Sequence, residues 1–295
     1  MLNNTLSALI TAQCNVSPNN IALEYNDHSL AYGELDTRSN QLANFLIEKG
    51  VNKDSRVPIL LNRSFEMIIA VLAIMKCGAS YVPIDPAYPM ERISYIIDDI
   101  DANFLITTLK TPPGFTGTTI LLNGNPSPVD KAPKTPLPAI TDEEAVSYII
   151  YTSGSTGKPK GVVVQNKAVS SFIINQSSYY GITAADRILL FSSISFDASV
   201  EQIFIALTTG ACLVLLPEEL LADVERFTKY VSDKEITHLD VTPGFLENLN
   251  PEKYTTLKRI VVGGDVCPKA LFLKWQFKGD FHNVYGPTEA TVTTT

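Results

Sequence analysis

Helix-like and strand-like runs alternate along the first third of the chain. In "TRSNQLANFLIEKG", Leu42, Phe45 and Leu46 recur at helical spacing, and Gly50 ends the run. "RVPILL" predicts a short buried strand, "SFEMIIAVLAIMKCG" a second helix that is buried on most sides, and "NFLITT" another strand. Short strands without a polar face, separated by helices, indicate parallel sheets covered by helices on both faces.

The alternation lapses between residues 111 and 140. This stretch leaves room for at most one short strand, "TTILLN", because prolines interrupt it. The prolines are Pro112, Pro113, Pro126, Pro128, Pro133, Pro136 and Pro138. We interpret residues 111–140 as an extended connection between a first α/β unit, residues 1–110, and a second, residues 141–295.

Strand-like runs resume after the connection. They are "AVSYIIY", "GVVV", "RILLF", "CLVLL", "THLDV" and "RIVVGG", with a helix at "SVEQIFIALTTG". The predicted fold class is therefore α/β, with stacked, mostly parallel sheets flanked by helices. The last residues, "EATVTTT", have neither a helix cap nor the composition of a tail, so we expect the fold to be incomplete at its C-terminus.

The composition excludes several classes of protein. The 295 residues are 45% hydrophobic and carry a formal net charge of -8 without a basic cluster, so we expect no nucleic-acid partner. The longest apolar run, from Met67 to Met75, is far shorter than the ~20 residues that cross a bilayer, and no signal peptide opens the chain. The cysteines show no CxxC spacing and the three histidines stand alone. We expect a cytoplasmic protein with reduced thiols, without a membrane partner, a histidine metal site or a catalytic triad.

The segment "YTSGSTGKPKG", residues 151–161, has the composition of a phosphate-binding loop. Backbone N–H groups of such a loop converge on an anion, and hydroxyls and lysines add donors and charge. It is not the P-loop of NTPases, because Thr152 stands where that pattern has its first glycine and Pro159 where it has Ser or Thr. The dinucleotide pattern G-x-G-x-x-G is absent as well. The alternative is a plain hairpin between two strands.

A second block, "NVYGPTEATV" at residues 283–292, combines an aromatic ring, a Gly-Pro turn, a hydroxyl and a carboxylate. Tyr285 offers a face for a nucleobase and Thr288 a donor for a phosphate. Glu289 is a hard oxygen ligand of the kind that Mg²⁺ takes up beside phosphates. On its own the block is equally compatible with a turn and a capping glutamate.

Both blocks resemble motifs of the adenylate-forming superfamily, in particular the amino-acid adenylation domains of nonribosomal peptide synthetases. "LAYGELDTRSNQLA", "MKCGASYVPIDPAYPMERI" and "FDASVEQIF" are similar to three further motifs of that family, and all five occur in the family's order. The resemblance implies activation of a carboxylic acid by Mg-ATP with release of pyrophosphate. It also implies transfer of the acyl group to the phosphopantetheine arm of a peptidyl carrier protein.

The resemblance also implies the residues of the ATP site. Thr152–Lys158 would wrap the β- and γ-phosphates, Tyr285 would stack on adenine, and Asn283 would lie at the edge of the base. Thr288 would contact the α-phosphate and Glu289 would bind Mg²⁺. The implied ATP-binding residues are Thr152, Ser153, Gly154, Ser155, Thr156, Gly157, Lys158, Gly263, Gly264, Asp265, Asn283, Tyr285, Gly286 and Thr288. The implied catalytic residues are Thr152, Lys158, Thr288 and Glu289.

The same resemblance implies a substrate pocket. Its residues would be Asp197, Ala198, Glu201, Gly244, Val261, Gly263, Val284, Val292 and Thr293. Asp197 would pair with the α-ammonium of an amino acid; the alternative is that it caps the following helix. Glu201 in a largely apolar lining favours a cationic side chain, lysine or ornithine. The alternative is that Glu201 faces solvent or pairs with a protein group.

The chain departs from the family pattern at its end. The family continues beyond the fifth motif with the rest of the large domain and a small mobile C-terminal domain. That further stretch holds a ribose-binding aspartate, a hinge residue between the domains and a late lysine directed at the α-phosphate. We therefore expect residues 1–295 alone to form adenylate weakly or not at all, and to act with a separate C-terminal subdomain. Met1 lies near the usual start of such domains, so we expect no condensation domain before it. Two other functions remain open: an acyl-CoA ligase that activates a non-amino acid, and a non-catalytic fragment that binds nucleotide or a partner protein.

Overall fold

The computed structural model describes residues 5–123, 127–153 and 157–294. Within these ranges the strands form two sheets. In chain order the strands are β1 (Ile21–Tyr25), β2 (His28–Ala31), β3 (Arg56–Leu60), β4 (Ser80–Pro83), β5 (Phe104–Thr107), β6 (Thr118–Leu121), β7 (Val146–Ser153), β8 (Pro159–Gln165), β9 (Arg187–Leu190), β10 (Cys212–Leu215), β11 (His238–Val241), β12 (Arg259–Val262) and β13 (Asp280–Asn283).

Sheet 1 has the strand order β6-β5-β3-β4-β7-β8, and sheet 2 the order β13-β12-β11-β9-β10-β1-β2. Pairing is parallel except in two hairpins, β1–β2 and β7–β8. The predicted α/β fold with stacked, mostly parallel sheets is confirmed. Sheet membership crosses the predicted division of the chain, because β1 and β2 join sheet 2 whereas β7 and β8 join sheet 1. The division into two units therefore remains a prediction about domain organisation only.

Helices cover the faces of both sheets. They are α1 (Leu6–Val16), α2 (Tyr32–Glu48), α3 (Phe65–Lys76), α4 (Met90–Asp99), α5 (Asn166–Tyr179), α6 (Ala198–Thr209), α7 (Val224–Asp233), α8 (Pro243–Glu247) and α9 (Lys269–Trp275). No helix in the described ranges combines the length and apolar character needed to cross a membrane.

Local sequence signals explain where several helices begin and end. The Ser64 hydroxyl accepts a hydrogen bond from the Met67 backbone N–H at 3.2 Å and caps α3. Gly50 and Gly78, with φ of 99° and 75°, follow α2 and α3 in the left-handed conformation that ends a helix. Gly210 does the same for α6, with φ of 83°.

One continuous apolar core lies between the two sheets. Residues of α1, α2, α3, α5 and α6 pack there against the inward faces of both sheets. α3 is buried along nearly its whole length, as its uniformly apolar sequence predicts. α7 and α9 cover the outer face of sheet 2, and α4 covers that of sheet 1. The fold therefore has five alternating layers.

The parallel strands of sheet 2 place their carboxyl ends at one edge. β9, β10, β11, β12 and β13 all run in the same direction, so the segments that follow them lie side by side. In parallel α/β sheets this edge is where ligands bind. The segment after β3 in sheet 1 also reaches this edge, through Arg63.

Candidate active site

A cavity of about 400 Å³ opens at the carboxyl edge of sheet 2. Segments that follow β9, β12 and β13, the end of β11 and the first turn of α6 form its wall. Most of the wall is apolar or glycine, but Asp197, Glu201 and Asp240 place three carboxyl groups in it. None of its lining residues in the described part of the chain is a lysine, arginine or histidine. A cavity with this charge balance is suited to a cationic ligand.

Asp197 precedes α6 and makes no side-chain capping hydrogen bond to it. Its Oδ2 atom is buried without a hydrogen-bond partner. Burial raises the pKa of the carboxyl above its ordinary value; a hydrogen bond with Thr288 opposes this change, and the Glu289 carboxylate adds to it. Hydrogen bonds from the backbone N–H groups of Ala198 and Asp197 also lower this pKa. Asp197 thus interacts with the start of α6 without making the side-chain bond of an N-cap, and its Oδ2 atom remains without a hydrogen-bond partner.

Glu201 lies in the first turn of α6 and is 2% exposed, so it does not face solvent. The Thr293 hydroxyl donates to its Oε2 at 3.4 Å, and Oε1 is buried without a hydrogen-bond partner. Burial, followed by the nearby Asp240 carboxyl, raises the pKa of Glu201 to about 8, although Tyr180 and Gln176 act in the opposite direction. No basic group of the described residues forms an ion pair with this carboxyl.

Asp240 is a cavity residue that the sequence analysis missed. It lies in β11, and its Oδ2 accepts a hydrogen bond from Gln202 Nε2 at 2.9 Å. Burial raises the pKa of Asp240 to about 6; the hydrogen bond from Gln202 lowers it, and Asp197 raises it. The signal was an aspartate inside the apolar strand "THLDV", near the carboxyl end where ligands bind.

Two of the predicted pocket residues lie outside the cavity wall. Gly244 is exposed in α8, and Val261 is fully buried inside β12. Neither lines the cavity. The other predicted pocket residues do line it: Asp197, Ala198, Glu201, Gly263, Val284, Val292 and Thr293.

The residues predicted to bind adenine lie at the ends of β12 and β13. Val262 pairs with Asn283, so the segment Gly263–Asp265 lies beside the segment that contains Tyr285. The Tyr285 side chain is 70% exposed beside this segment. A Cβ atom at position 263 would lie only 2.9 Å from Val284 Cγ2, so glycine is needed for this close approach.

The segment after Tyr285 folds back on itself. A Cβ atom on Gly286 would lie 2.3 Å from the carbonyl oxygen of Val292, which only glycine avoids. Thr291 and Val292 both adopt left-handed backbone conformations, with φ of 65° and 68°, which are unfavourable for β-branched residues. This turn brings Val292 and Thr293 into the cavity wall beside Glu201.

The predicted phosphate loop joins β7 to β8. Thr152 and Ser153 end β7 opposite Lys160 and Pro159, and the Lys158 side chain is exposed. β8 contacts the 3₁₀ helix Thr288–Ala290, so this strand and the "YGPTE" segment are neighbours. Gly157 has φ of 82°, whereas Gly154, Ser155 and Thr156 lie outside the described residues.

Glu289 is exposed and forms no ion pair with any described residue. No group of three acidic, histidine or cysteine side chains in the described ranges could hold a metal ion alone. One free carboxylate fits Mg²⁺, which binds one or two carboxylates together with substrate phosphates and water. The donor set is therefore compatible with a Mg-ATP site.

Comparison with known proteins identifies the family. The model of the family described as AMP-binding enzyme matches residues 10–295. The chain belongs to this family. Gramicidin S synthase 1 of Brevibacillus brevis is 36% identical to this chain over 296 residues, which cover 99% of the chain and 27% of the relative. Bacitracin synthase 3 of Bacillus licheniformis is 38% identical over 295 residues, which cover 99% of the chain and 5% of the relative. The chain thus spans a small part of these relatives.

Solved structures agree with this assignment. The nonribosomal peptide synthetase FmoA3 (S1046A) in its AMPPNP-bound form matches with a TM-score of 0.90 at 27% identity, over 99% of the AMP-binding enzyme chain and 32% of FmoA3. The N-terminal subdomain of Klebsiella oxytoca NpsA in complex with 3-hydroxybenzoyl-AMSN matches with a TM-score of 0.86 at 26% identity, over 99% of this chain and 74% of that one. The predicted resemblance to nonribosomal peptide synthetase adenylation domains is confirmed.

Proposed function

We propose that this AMP-binding enzyme domain activates an α-amino acid with Mg-ATP, forming an aminoacyl-adenylate and pyrophosphate. We further propose that the aminoacyl group then passes, as a thioester, to the phosphopantetheine arm of a peptidyl carrier protein. The observation that carries the proposal is a cavity whose described lining residues include three carboxyls and no cation. It lies beside the predicted adenine site, whose segment contacts the β7–β8 hairpin.

The chemistry needs positioning and charge stabilisation rather than a nucleophilic side chain. A carboxylate oxygen of the amino acid attacks the α-phosphorus of ATP, and the bond between that phosphorus and the bridging oxygen breaks as pyrophosphate leaves. Asp197 would hold the α-ammonium and so aim the substrate carboxylate. Thr288 and Lys158 would donate to the phosphate oxygens, and Tyr285 would hold the adenine. Mg²⁺ held by Glu289 would offset negative charge on the phosphates.

The side chain of the substrate would be cationic. Glu201 and Asp240 are both buried in the cavity wall, and burying two carboxyls without a basic partner is unfavourable. A lysine or ornithine side chain would bring the missing positive charge. A non-amino acid, as in an acyl-CoA ligase, would leave the buried Asp197 Oδ2 without a partner, and this disfavours that alternative.

Amino-acid-dependent exchange of labelled pyrophosphate into ATP tests the proposal. The panel contains lysine, ornithine, leucine and valine, and the protein is assayed alone and with an added C-terminal adenylation subdomain. We expect exchange with lysine or ornithine, weak or absent for the chain alone and restored by the added subdomain. Asp197→Asn should lower kcat/KM by about tenfold or more, because a buried charge pair is lost. Asp233→Asn, a control at an exposed ion pair with Lys229, should not.

AMPPNP binding separates this proposal from a non-catalytic role. We expect Mg-AMPPNP to bind, and Tyr285→Ala to weaken its binding by about tenfold through loss of base stacking. Binding without exchange, even when the C-terminal subdomain is present, would favour a nucleotide-binding scaffold.

A further inference from the structure

The Gln202 side chain connects two parts of the cavity wall without lining the cavity itself. It follows Glu201 in α6 and is 1% exposed. Its Oε1 accepts hydrogen bonds from the backbone N–H groups of Phe191 and Ser192, both at 3.0 Å. Its Nε2 donates to Asp240 Oδ2 at 2.9 Å and to Ser192 Oγ at 3.1 Å. One buried amide therefore fixes the turn after β9 and the carboxyl at the end of β11.

The partners of this amide are cavity residues. Phe191, Ser192 and Asp240 all line the cavity, whereas Gln202 does not. Asp240 uses Oδ2 for the bond from Gln202, and no described residue donates a hydrogen bond to its Oδ1. Glu201 Oε1, on the same wall, is also buried without a partner. Two carboxyl oxygens thus remain available to a ligand, and one of them belongs to a side chain that Gln202 holds.

We infer that Gln202 is a positioning residue, whose amide orients the Asp240 carboxyl and the Phe191–Ser192 turn so that Asp240 Oδ1 contacts the cationic side chain of the substrate. This inference rests on the proposed function. Asp240 and Gln202 would then both determine which amino acid the cavity accepts. Asp240 would contact the substrate directly, and Gln202 would act by orienting Asp240.

An amide suits this position because it accepts and donates at the same time. A methionine has a similar length but neither strong acceptor nor donor, so it would release both the turn and the carboxyl. A glutamate would keep the acceptor for the two backbone N–H groups, but it would place a further carboxyl beside Asp240 Oδ2. Gln202→Met is therefore the main variant. Gln202→Glu is the second variant: it keeps the acceptor that holds the turn, and it can be used if Gln202→Met does not fold.

The first measurement needs no substrate. Asp240 is titrated through the chemical shift of its ¹³C-labelled carboxyl in the wild type, Gln202→Met and Gln202→Glu, with Asp240→Asn to assign the signal. Loss of a donor to the charged form, or addition of a like charge, should raise the pH at which Asp240 titrates in both variants. An unchanged titration would overturn the inference.

The second measurement is the ratio of kcat/KM for ornithine to that for leucine in pyrophosphate exchange. We expect Gln202→Met to lower this ratio by about tenfold, and by less than about twofold when Asp240→Asn is already present. The control Gln276→Glu, at an exposed glutamine after α9, should leave the ratio at the wild-type value. An equal loss with both amino acids, in both backgrounds, would show that Gln202 is only structural and would overturn the inference.

The two measurements distinguish the inference from the function on which it rests. A wild type without exchange in the presence of the C-terminal subdomain contradicts the proposed function, and the specificity role of Gln202 fails with it. The titration still decides whether Gln202 holds the Asp240 carboxyl.

Discussion

Partners, more than burial, decide the charge state of individual carboxyls in this protein. Asp186 is 1% exposed, and burial alone would raise its pKa; hydrogen bonds from Lys258, Thr183, Thr237 and Arg259 lower it instead. Glu201 is similarly buried and interacts with neutral groups, among them the Thr293 hydroxyl at 3.4 Å, but no lysine or arginine of the described residues pairs with it. Asp186 therefore stabilises the fold as a charged group, whereas Glu201 Oε1 has no hydrogen-bond partner among the described residues.

The raised pKa of Glu201 predicts a pH-dependent stability. The pKa is about 8 in the folded protein and 4.5 in the ordinary state, so the folded state binds more protons between these values. The free energy of unfolding of the ligand-free protein should therefore fall as the pH rises from 5 to 9. Glu201→Gln cannot ionise, so its stability relative to the wild type should increase by on the order of 2 kcal/mol over this range.

Urea denaturation at several pH values, followed by Trp275 fluorescence, measures this difference. Glu225→Gln, at an exposed position of α7, is the matched control and should follow the wild-type curve. Parallel pH profiles for the wild type and Glu201→Gln would show that the Glu201 carboxyl is not responsible.

Secondary structure elements were predictable where burial is uniform. β3 and α3 follow from apolar runs, because burial on most sides leaves no polar face to obscure the pattern. β2 and β13 are short strands at the two edges of sheet 2, with partly exposed and polar sequences, so no hydrophobic period marks them. Their place in the sheet is set by their neighbours.

Motifs located most of the candidate site, but not the partners of its side chains. A single sequence shows that Glu201 and Gln202 lie in one helix. It does not show that one lines the cavity and the other holds Asp240 from outside, because that depends on the packing of α6 against β9 and β11. For the same reason Gly244 was predicted to line the pocket and Asp240 was missed. Both lie near the end of β11, and only the three-dimensional structure shows that Asp240 reaches the cavity.

The segment after β3 binds the carbonyl groups of the turn after β9, whereas Gln202 binds the N–H groups of the same turn. The buried Arg63 guanidinium donates to the carbonyl oxygens of Phe191 at 3.0 Å, Ser192 at 3.1 Å and Leu216 at 3.0 Å, and also to that of Leu190. A planar group with five N–H donors can satisfy several carbonyls at once. Arg63 therefore connects sheet 1 to the carboxyl edge of sheet 2 through backbone acceptors rather than through an ion pair.

Replacement of Arg63 should destabilise the whole molecule. In Arg63→Met the buried carbonyl oxygens lose their donors, and we expect the free energy of unfolding to fall by about 2–4 kcal/mol. Arg63→Lys should recover only part of this loss, since an ammonium cannot reach the same spread of acceptors. Urea denaturation measures the effect, with Arg226→Met at an exposed position as the control. A loss below about 0.5 kcal/mol would mean that water replaces the guanidinium at little cost.

One side of sheet 2 carries several large apolar side chains in contact with solvent. β13 is its edge strand and pairs with β12 alone among the described strands. Phe272 is 41% exposed and packs edge-on against Phe281 with ring centroids 5.5 Å apart, while Leu273 and Phe277 are 47% and 73% exposed. Exposed apolar groups beside an open sheet edge favour association between molecules.

This surface predicts that the chain associates with itself as its concentration rises. Sedimentation velocity over a range of concentrations should show growth of the average mass for the wild type. Phe277→Lys adds charge to the most exposed of these side chains and should reduce association at equal concentration by several-fold, because charge near a sheet edge opposes pairing. Ile47→Lys makes the same exchange at a 45% exposed position in α2 and should have no such effect. If both variants behave alike, association does not involve the β13 edge. If only Phe277→Lys stays monomeric, copies of the chain associate through the β13 edge. The exposed apolar side chains at this edge then contribute more to association than Ile47 does.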